Sequence, residues 1–205
     1  MIAIIDYGLG NLGSISNMLK VIGERSLITS STEEIIHSDG IILPGVGAFD
    51  AGMGKLNETG LSETVRKYSE SGRPILGICL GMQLLGRRSE EGNLDGLGLI
   101  PFECVRFRFD NAQLKIPHMG WDLVDIRQVH PVVDGLAGRQ RFYFVHSFHA
   151  VCDSSENVLM TCYYGYPFEA AVFRGNCIGV QFHPEKSHDF GLSFLTNFVR
   201  ICRKG

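Results

Sequence analysis

The run Gly77-Ile78-Cys79-Leu80-Gly81 has the spacing of a nucleophile elbow, with the reactive residue midway between two glycines. A sharp turn from an apolar strand into a helix lifts the middle side chain clear of a sheet. Small neighbours are needed where a Cβ would strike the backbone. The first amides of the helix then point at the sulfur, which favours a thiolate and any oxyanion formed beside it. A buried cysteine in a glycine-rich turn would leave the same trace. Gln83 lies four residues on, so it shares the helix face with Cys79 and can read a polar group of a substrate.

A nucleophilic cysteine needs a base, and the base needs an orienting group. His183-Pro184-Glu185 follows an apolar run. If extended, His183 and Glu185 project to one side, and the proline stiffens the pair. Alone, this pattern also describes an ordinary strand end; beside the elbow it reads as base and orienter. The chain order Cys79, His183, Glu185 puts the acid last, unlike the nucleophile, acid, histidine order of α/β-hydrolases. Pro44-Gly45-Val46-Gly47 closes another strand and offers a second amide, beside that of Leu80, for an oxyanion.

Three further patterns compete for a role. Gly8-Leu9-Gly10-Asn11-Leu12-Gly13 has the form of a dinucleotide-binding turn, but no acidic residue ends the next strand. A tight turn that needs glycines is the better explanation. His146 and His149 are three apart in a strand-like run, so they are expected to face opposite sides, and no metal site is expected. Trp121 is the only tryptophan; Pro117-His118-Met119-Gly120 before it reads as a loop, where a large aromatic suits an interface.

These residues must be held by a fold. Strand-like apolar runs at 2–5, 26–29, 40–43 and 74–79 alternate with helical patterns at 12–22, 61–71 and 80–87, the rhythm of a parallel sheet between helices. The second half instead reads as strands at 105–109, 121–126, 141–151, 158–164, 170–174 and 177–182, with Gly175-Asn176 as a hairpin turn. A closing helix carries Phe190, Phe194, Leu195, Phe198, Ile201 and Cys202 as one stripe. The expected fold is α/β: a mixed, mainly parallel central sheet flanked by helices, with antiparallel strands added in the second half, as one domain over 1–205.

Composition narrows the function classes. The chain has 205 residues, with Lys+Arg 19 against Asp+Glu 22 for a net charge of −3. No basic cluster favours nucleic acid, and no apolar run approaches the ~20 residues of a membrane span. The N-terminus lacks the features of a signal peptide, so a cytoplasmic protein is expected. None of the six cysteines forms a C-x-x-C pair, which gives no support to zinc ribbons or thioredoxin-like chemistry. Reduced, mostly buried thiols are expected, with one of them chemical.

The Gly-x-Cys-x-Gly-x-Gln elbow and the His-Pro-Glu ending resemble the class I glutamine amidotransferases. The resemblance extends over Asp6–Asn11, Leu43–Phe49, Gly77–Leu85, Ser89–Gly92, Ile116–Trp121, Tyr143–Ser147 and Phe182–Ser187, essentially the whole chain. It is strongest to the ammonia-producing subunits that serve a barrel-shaped cyclase, which makes imidazole glycerol phosphate and an aminoimidazole ribonucleotide for histidine and purine synthesis. The resemblance implies a flavodoxin-like three-layer sandwich and a Cys79-His183-Glu185 triad that hydrolyses L-glutamine without cofactor or metal. It also implies an oxyanion site from Leu80 and Gly45, Val46 and Gly47, and a glutamine pocket from Gln83, Glu91, Ser147 and Phe148. Asn11, Pro117, His118, Met119, Trp121, Tyr143 and Lys186 then lie at or near the interface with the cyclase. Asp122 stands where the family commonly has Asn. Ammonia supply to another synthase, as in surface-polysaccharide sugar amidation, and a stand-alone cysteine hydrolase remain open alternatives.

Overall fold

The computed structural model describes residues 1–109, 114–136, 138 and 140–203. In chain order the strands are β1 (Ile2–Ile5), β2 (Ser26–Thr29), β3 (Gly40–Leu43), β4 (Ile75–Ile78), β5 (Arg88–Ser89) and β6 (Phe102–Arg106). Then come β7 (His118–Ile126), β8 (Gln140–His146), β9 (Phe148–Cys152), β10 (Val158–Tyr164), β11 (Tyr166–Arg174) and β12 (Cys177–Val180). The helices are α1 (Leu12–Val21), α2 (Thr32–Ile36), α3 (Phe49–Glu58), α4 (Leu61–Glu70), α5 (Leu80–Leu85) and α6 (His188–Cys202). None is long and apolar enough to cross a membrane.

Every residue of β1, β3, β4 and β12 is buried. Strands without a polar face must be covered on both sides, and parallel strands joined through helices meet that need. Ile2 and Ile4 pack with Ile15 and Leu19 of α1 and Phe194, Leu195 and Phe198 of α6. Ala3 and Ile5 face the other way, among Met53 and Leu56 of α3, Val65 and Tyr68 of α4 and Leu80 and Leu84 of α5. Each large apolar side chain so buried contributes ~1.5–3 kcal/mol.

The sheet runs β2-β1-β3-β4-β12-β11-β10-β7-β8. It is parallel as far as β12 and antiparallel beyond it. β9 branches off β11 and carries β6 and β5. The β4–β12 pairing brings residues 79 and 183, distant in sequence, to the same edge of the sheet.

Four expectations change. His118–Trp121 is not loop but the start of β7, with Trp121 opposite Tyr143 of β8. The single strand expected over 141–151 breaks at Ser147 into β8 and β9. For that reason His146 and His149 do not face opposite sides: both rings pack on Phe107, at 5.2 and 4.7 Å between centroids. Residues 184–186 form a 3₁₀ turn in place of an extended run.

Candidate active site

Cys79 sits between β4 and α5 with φ 54° and ψ −112°, a conformation side chains rarely adopt. Holding such a residue there costs ~1–3 kcal/mol, met by the packing around it. Its N–H donates to the Val180 carbonyl at 2.8 Å, and its own carbonyl accepts from the Gln83 N–H at 3.2 Å. The flanking glycines are steric necessities. A Cβ on Gly77 would lie 2.7 Å from the Gly81 carbonyl oxygen, and one on Gly81 would overlap the Leu43 carbonyl.

His183 follows β12, and its Nδ1 lies 2.8 Å from Glu185 Oε1, both side chains being 2 % exposed. The 3₁₀ turn brings the carboxylate back onto the ring, so the orienting role survives the change of local structure. Burial pulls the His183 pKa down, but the interactions with Cys79 and Glu185 more than reverse this and hold it at about 9. This environment favours the imidazolium form of the ring. Its Nε2 is buried without a conventional hydrogen-bond partner. The remaining cysteines are burial-raised thiols. Burial pushes Cys152, Cys162 and Cys202 up to about 12 and Cys177 to about 11, and Cys104 is pushed higher still. None of the six is in a disulfide.

A cavity of about 290 Å³ opens over the thiol. The sequence-predicted residues Val46, Gly47, Cys79, Leu80, Gln83, Glu91, Pro117, Ser147, Phe148, His183 and Lys186 all line it, together with Val145 and His146. Gly45 stands behind, where a Cβ would be 2.5 Å from the Tyr7 hydroxyl and 2.9 Å from Leu80 Cβ. The glutamine-reading side chains are partly committed. Gln83 Nε2 donates to Gln181 Oε1 at 3.0 Å and to the Phe148 carbonyl at 3.4 Å, which leaves its Oε1 outside those bonds. Glu91 Oε2 accepts from the Phe49 N–H at 2.8 Å, at the start of α3.

Outside the cavity an aromatic strip continues along β7 and β8. Trp121 stacks on His188 at 5.3 Å and meets Tyr143 edge-on at 6.2 Å. The Arg141 and Lys186 cations lie over the Trp121 and Tyr143 rings. Met119 is 62 % exposed, and Asn11 is exposed before α1. His118 does not belong to this surface: it is buried and faces His146.

Besides Val145 and His146, two residues of the site escaped the sequence reading. Gln181 is fully buried and donates from Nε2 to Cys79 Sγ at 3.8 Å; a lone amide inside an apolar run, two residues before His183, was the signal. Tyr7 donates its hydroxyl proton to the Pro44 carbonyl at 2.6 Å. Burial, and then the charge of Cys79, push its pKa far above the ordinary phenol value. The Gly8–Gly13 turn has a structural reason for its glycines. Gly8 and Gly10 have φ of 87° and 123°, and a Cβ on Gly10 would press on Pro44 at 3.1 Å.

The family model for glutamine amidotransferase class-I matches residues 3–202. A Methanococcus maripaludis protein called imidazole glycerol phosphate synthase subunit HisH 2 is 49% identical over 201 residues, covering 98% of this chain and 99% of its own. A Pseudomonas aeruginosa protein of the same name is 47% identical, covering 98% and 100%. Among solved structures, a glutamine amidotransferase superposes with TM-score 0.74 at 21% identity, covering 99% of this chain and 100% of its own. PurLQS from Thermotoga maritima gives 0.75 at 20% identity, covering 97% of each. At those identities the structural likeness concerns the fold alone.

Proposed function

The chain belongs to the class-I glutamine amidotransferase family, and we propose that it hydrolyses L-glutamine to glutamate and ammonia at Cys79, as the glutaminase subunit of an imidazole glycerol phosphate synthase in histidine biosynthesis. The relatives at 47–49% identity over nearly their whole length carry that subunit's name. The observation that carries the chemistry is that a strained Cys79 and His183 line one cavity, with a buried Glu185 carboxylate 2.8 Å from the far nitrogen of the ring. On this reading the whole chain, 1–205, is one glutaminase domain.

The Cys79 thiolate, paired with the His183 imidazolium, attacks the carboxamide carbon of glutamine. The carbonyl oxygen takes the electron pair and is held by the Leu80 amide and the Gly45-Val46-Gly47 turn. His183 gives its proton to the departing nitrogen, and ammonia leaves. Neutral His183 then takes a proton from water, whose oxygen attacks the thioester, and Cys79 departs as thiolate. Glu185 keeps the ring oriented throughout. Gln83, Glu91, Ser147 and Phe148 line the cavity where the substrate's amino-acid end would lie.

The partner is a barrel-shaped cyclase subunit, docked on the strip of Met119, Trp121, Tyr143 and Lys186, with Asn11 and Pro117 at its edge. Trp and Tyr are enriched among interface anchors. Ammonia made at Cys79 passes to it out of reach of water, and the pair works in the cytoplasm. Assay of the complex with glutamine and with ammonium tests the assignment. Cys79→Ala should abolish glutamine-dependent synthesis while ammonium still supports it; retained glutamine turnover would overturn the reading.

A further inference from the structure

Four polar groups lie in series between the cavity wall and β7. His146 Nδ1 is 2.7 Å from the Phe148 carbonyl oxygen. His146 Nε2 is 3.0 Å from His118 Nδ1, and His118 Nε2 is 3.0 Å from Asp122 Oδ2. His118 is buried, whereas the Asp122 side chain is 39% exposed. The same Phe148 carbonyl also accepts from Gln83, and His146 and Phe148 both line the cavity. The chemistry described above uses neither His118 nor Asp122.

The direction of each bond follows from what each atom can do. A carbonyl only accepts, so His146 must carry its proton on Nδ1. Burial pushes His146 down to about 3, so it is neutral and its Nε2 has only a lone pair. His118 must then donate from Nδ1. Its Nε2 faces a carboxylate oxygen, which is again an acceptor. Three contacts need three protons, and two neutral imidazoles supply two.

We infer that Asp122 and His118 are positioning residues for the glutamine cavity, acting through His146 on the Phe148 carbonyl, and that this relay is complete only when His118 carries a proton on both ring nitrogens, one donated to His146 and one to the Asp122 carboxylate. When one of these protons leaves, a carboxylate outbids an imidazole nitrogen for the remaining His118 proton. His118 then donates to Asp122, two lone pairs meet between His118 and His146, and the cavity wall loses its backing.

The surroundings leave the extra proton to His118. Tyr164 of β10 stacks on His118 at 4.1 Å, but its hydroxyl is occupied in donating to the Lys115 carbonyl. Cys162, whose thiol senses Asp122, is pushed up to about 12 by burial and stays neutral. His149 is pushed down by burial as well. The His183 cation disfavours a second charge on His146. For His118 itself, burial works against the cation more strongly than Asp122 works for it. The extra proton is therefore bound on the acid side and lost as pH rises.

The inference rests on the glutaminase reading, and its test has an arm that does not. Nitrogen-15 spectra of the full-length chain, recorded from about pH 5 to about pH 9, should show His118 protonated on both nitrogens at the acid end and on one at the other. In the assembled enzyme the glutamine KM should rise about threefold to tenfold across the same loss, with kcat following only the triad. In Asp122→Asn the amide supplies the missing donor without an ionisable proton. The KM of this variant should stay flat once the triad's own pH dependence, common to both proteins, is divided out. A His118 that carries one proton at every pH, or an Asp122→Asn variant whose KM runs parallel to the parent's, would overturn the proposal. Absence of any glutaminase activity would instead remove the functional reading and leave the spectra to judge the relay.

Discussion

The two halves of the sheet contribute to the site by different physics. The parallel half supplies the nucleophile through backbone sterics: β4 must stop, turn at a strained Cys79 and enter α5, and glycines at 77 and 81 are the only residues that fit. The antiparallel half supplies the cavity wall through buried polar groups, namely the His146 side chain and the Phe148 carbonyl, with His118 behind them. His183 and Gln181 sit where the halves meet, at the end of β12. A steric device fails abruptly when a single atom is added. A polar device weakens by degrees and responds to pH.

Substitutions test that contrast, the largest effect first. Gly81→Ala adds a Cβ that overlaps the Leu43 carbonyl. It should cost about 3 kcal/mol or more in urea unfolding and abolish turnover. A variant of parental stability would show that the elbow has room to give. Glu185→Gln removes one of the two partners that hold His183 up at about 9. Activity needs the imidazolium, so it falls as pH rises through that value, and the variant's alkaline limb should move to lower pH, with kcat down ~100-fold. An unmoved limb would remove Glu185 from its role.

Trp121→Ala should weaken association with the synthase subunit by about 30-fold, as loss of a ~2 kcal/mol anchor would. Because its ring stands on the surface strip, the unfolding free energy of the isolated chain should change little. Unaltered affinity in a titration would place the interface elsewhere. Gln181→Leu strips Gln83 of an acceptor and Cys79 of its amide neighbour. A buried donor left short of partners costs ~1–3 kcal/mol, so kcat/KM should drop about tenfold. The smallest effect is expected of Tyr7→Phe, which deletes only the bond to the Pro44 carbonyl. A loss of ~1 kcal/mol should appear as a few-fold lower kcat with KM unchanged.

The parallel half was the more legible in sequence because its signals are local. Continuous apolar runs mark β1, β3 and β4, and the elbow is written in adjacent residues. Even there α3 was missed. Gly52 and Gly54 weaken its helical pattern, yet Gly52 lets the helix close on Leu80 and Leu84 of α5, so packing overrides propensity. In the antiparallel half the break at Ser147 was invisible. Phe142, Phe144 and His146 are buried alternately, and Phe148 and Ala150 continue the same period of two across the break. The facing of His118 and His146 depends on the register between β7 and β8, which no local pattern encodes. Tyr7 and Gln181 act across 37 and 102 residues of sequence and carry no motif.

The claim on which the rest depends is that glutamine is opened on Cys79. Acid quenching of the assembled enzyme during glutamine turnover, followed by peptide mass spectrometry, tests it directly. A glutamyl adduct on the peptide carrying Cys79, absent from Cys79→Ala, is the predicted result. An adduct on any other residue, or undiminished turnover in Cys79→Ala, would contradict the account.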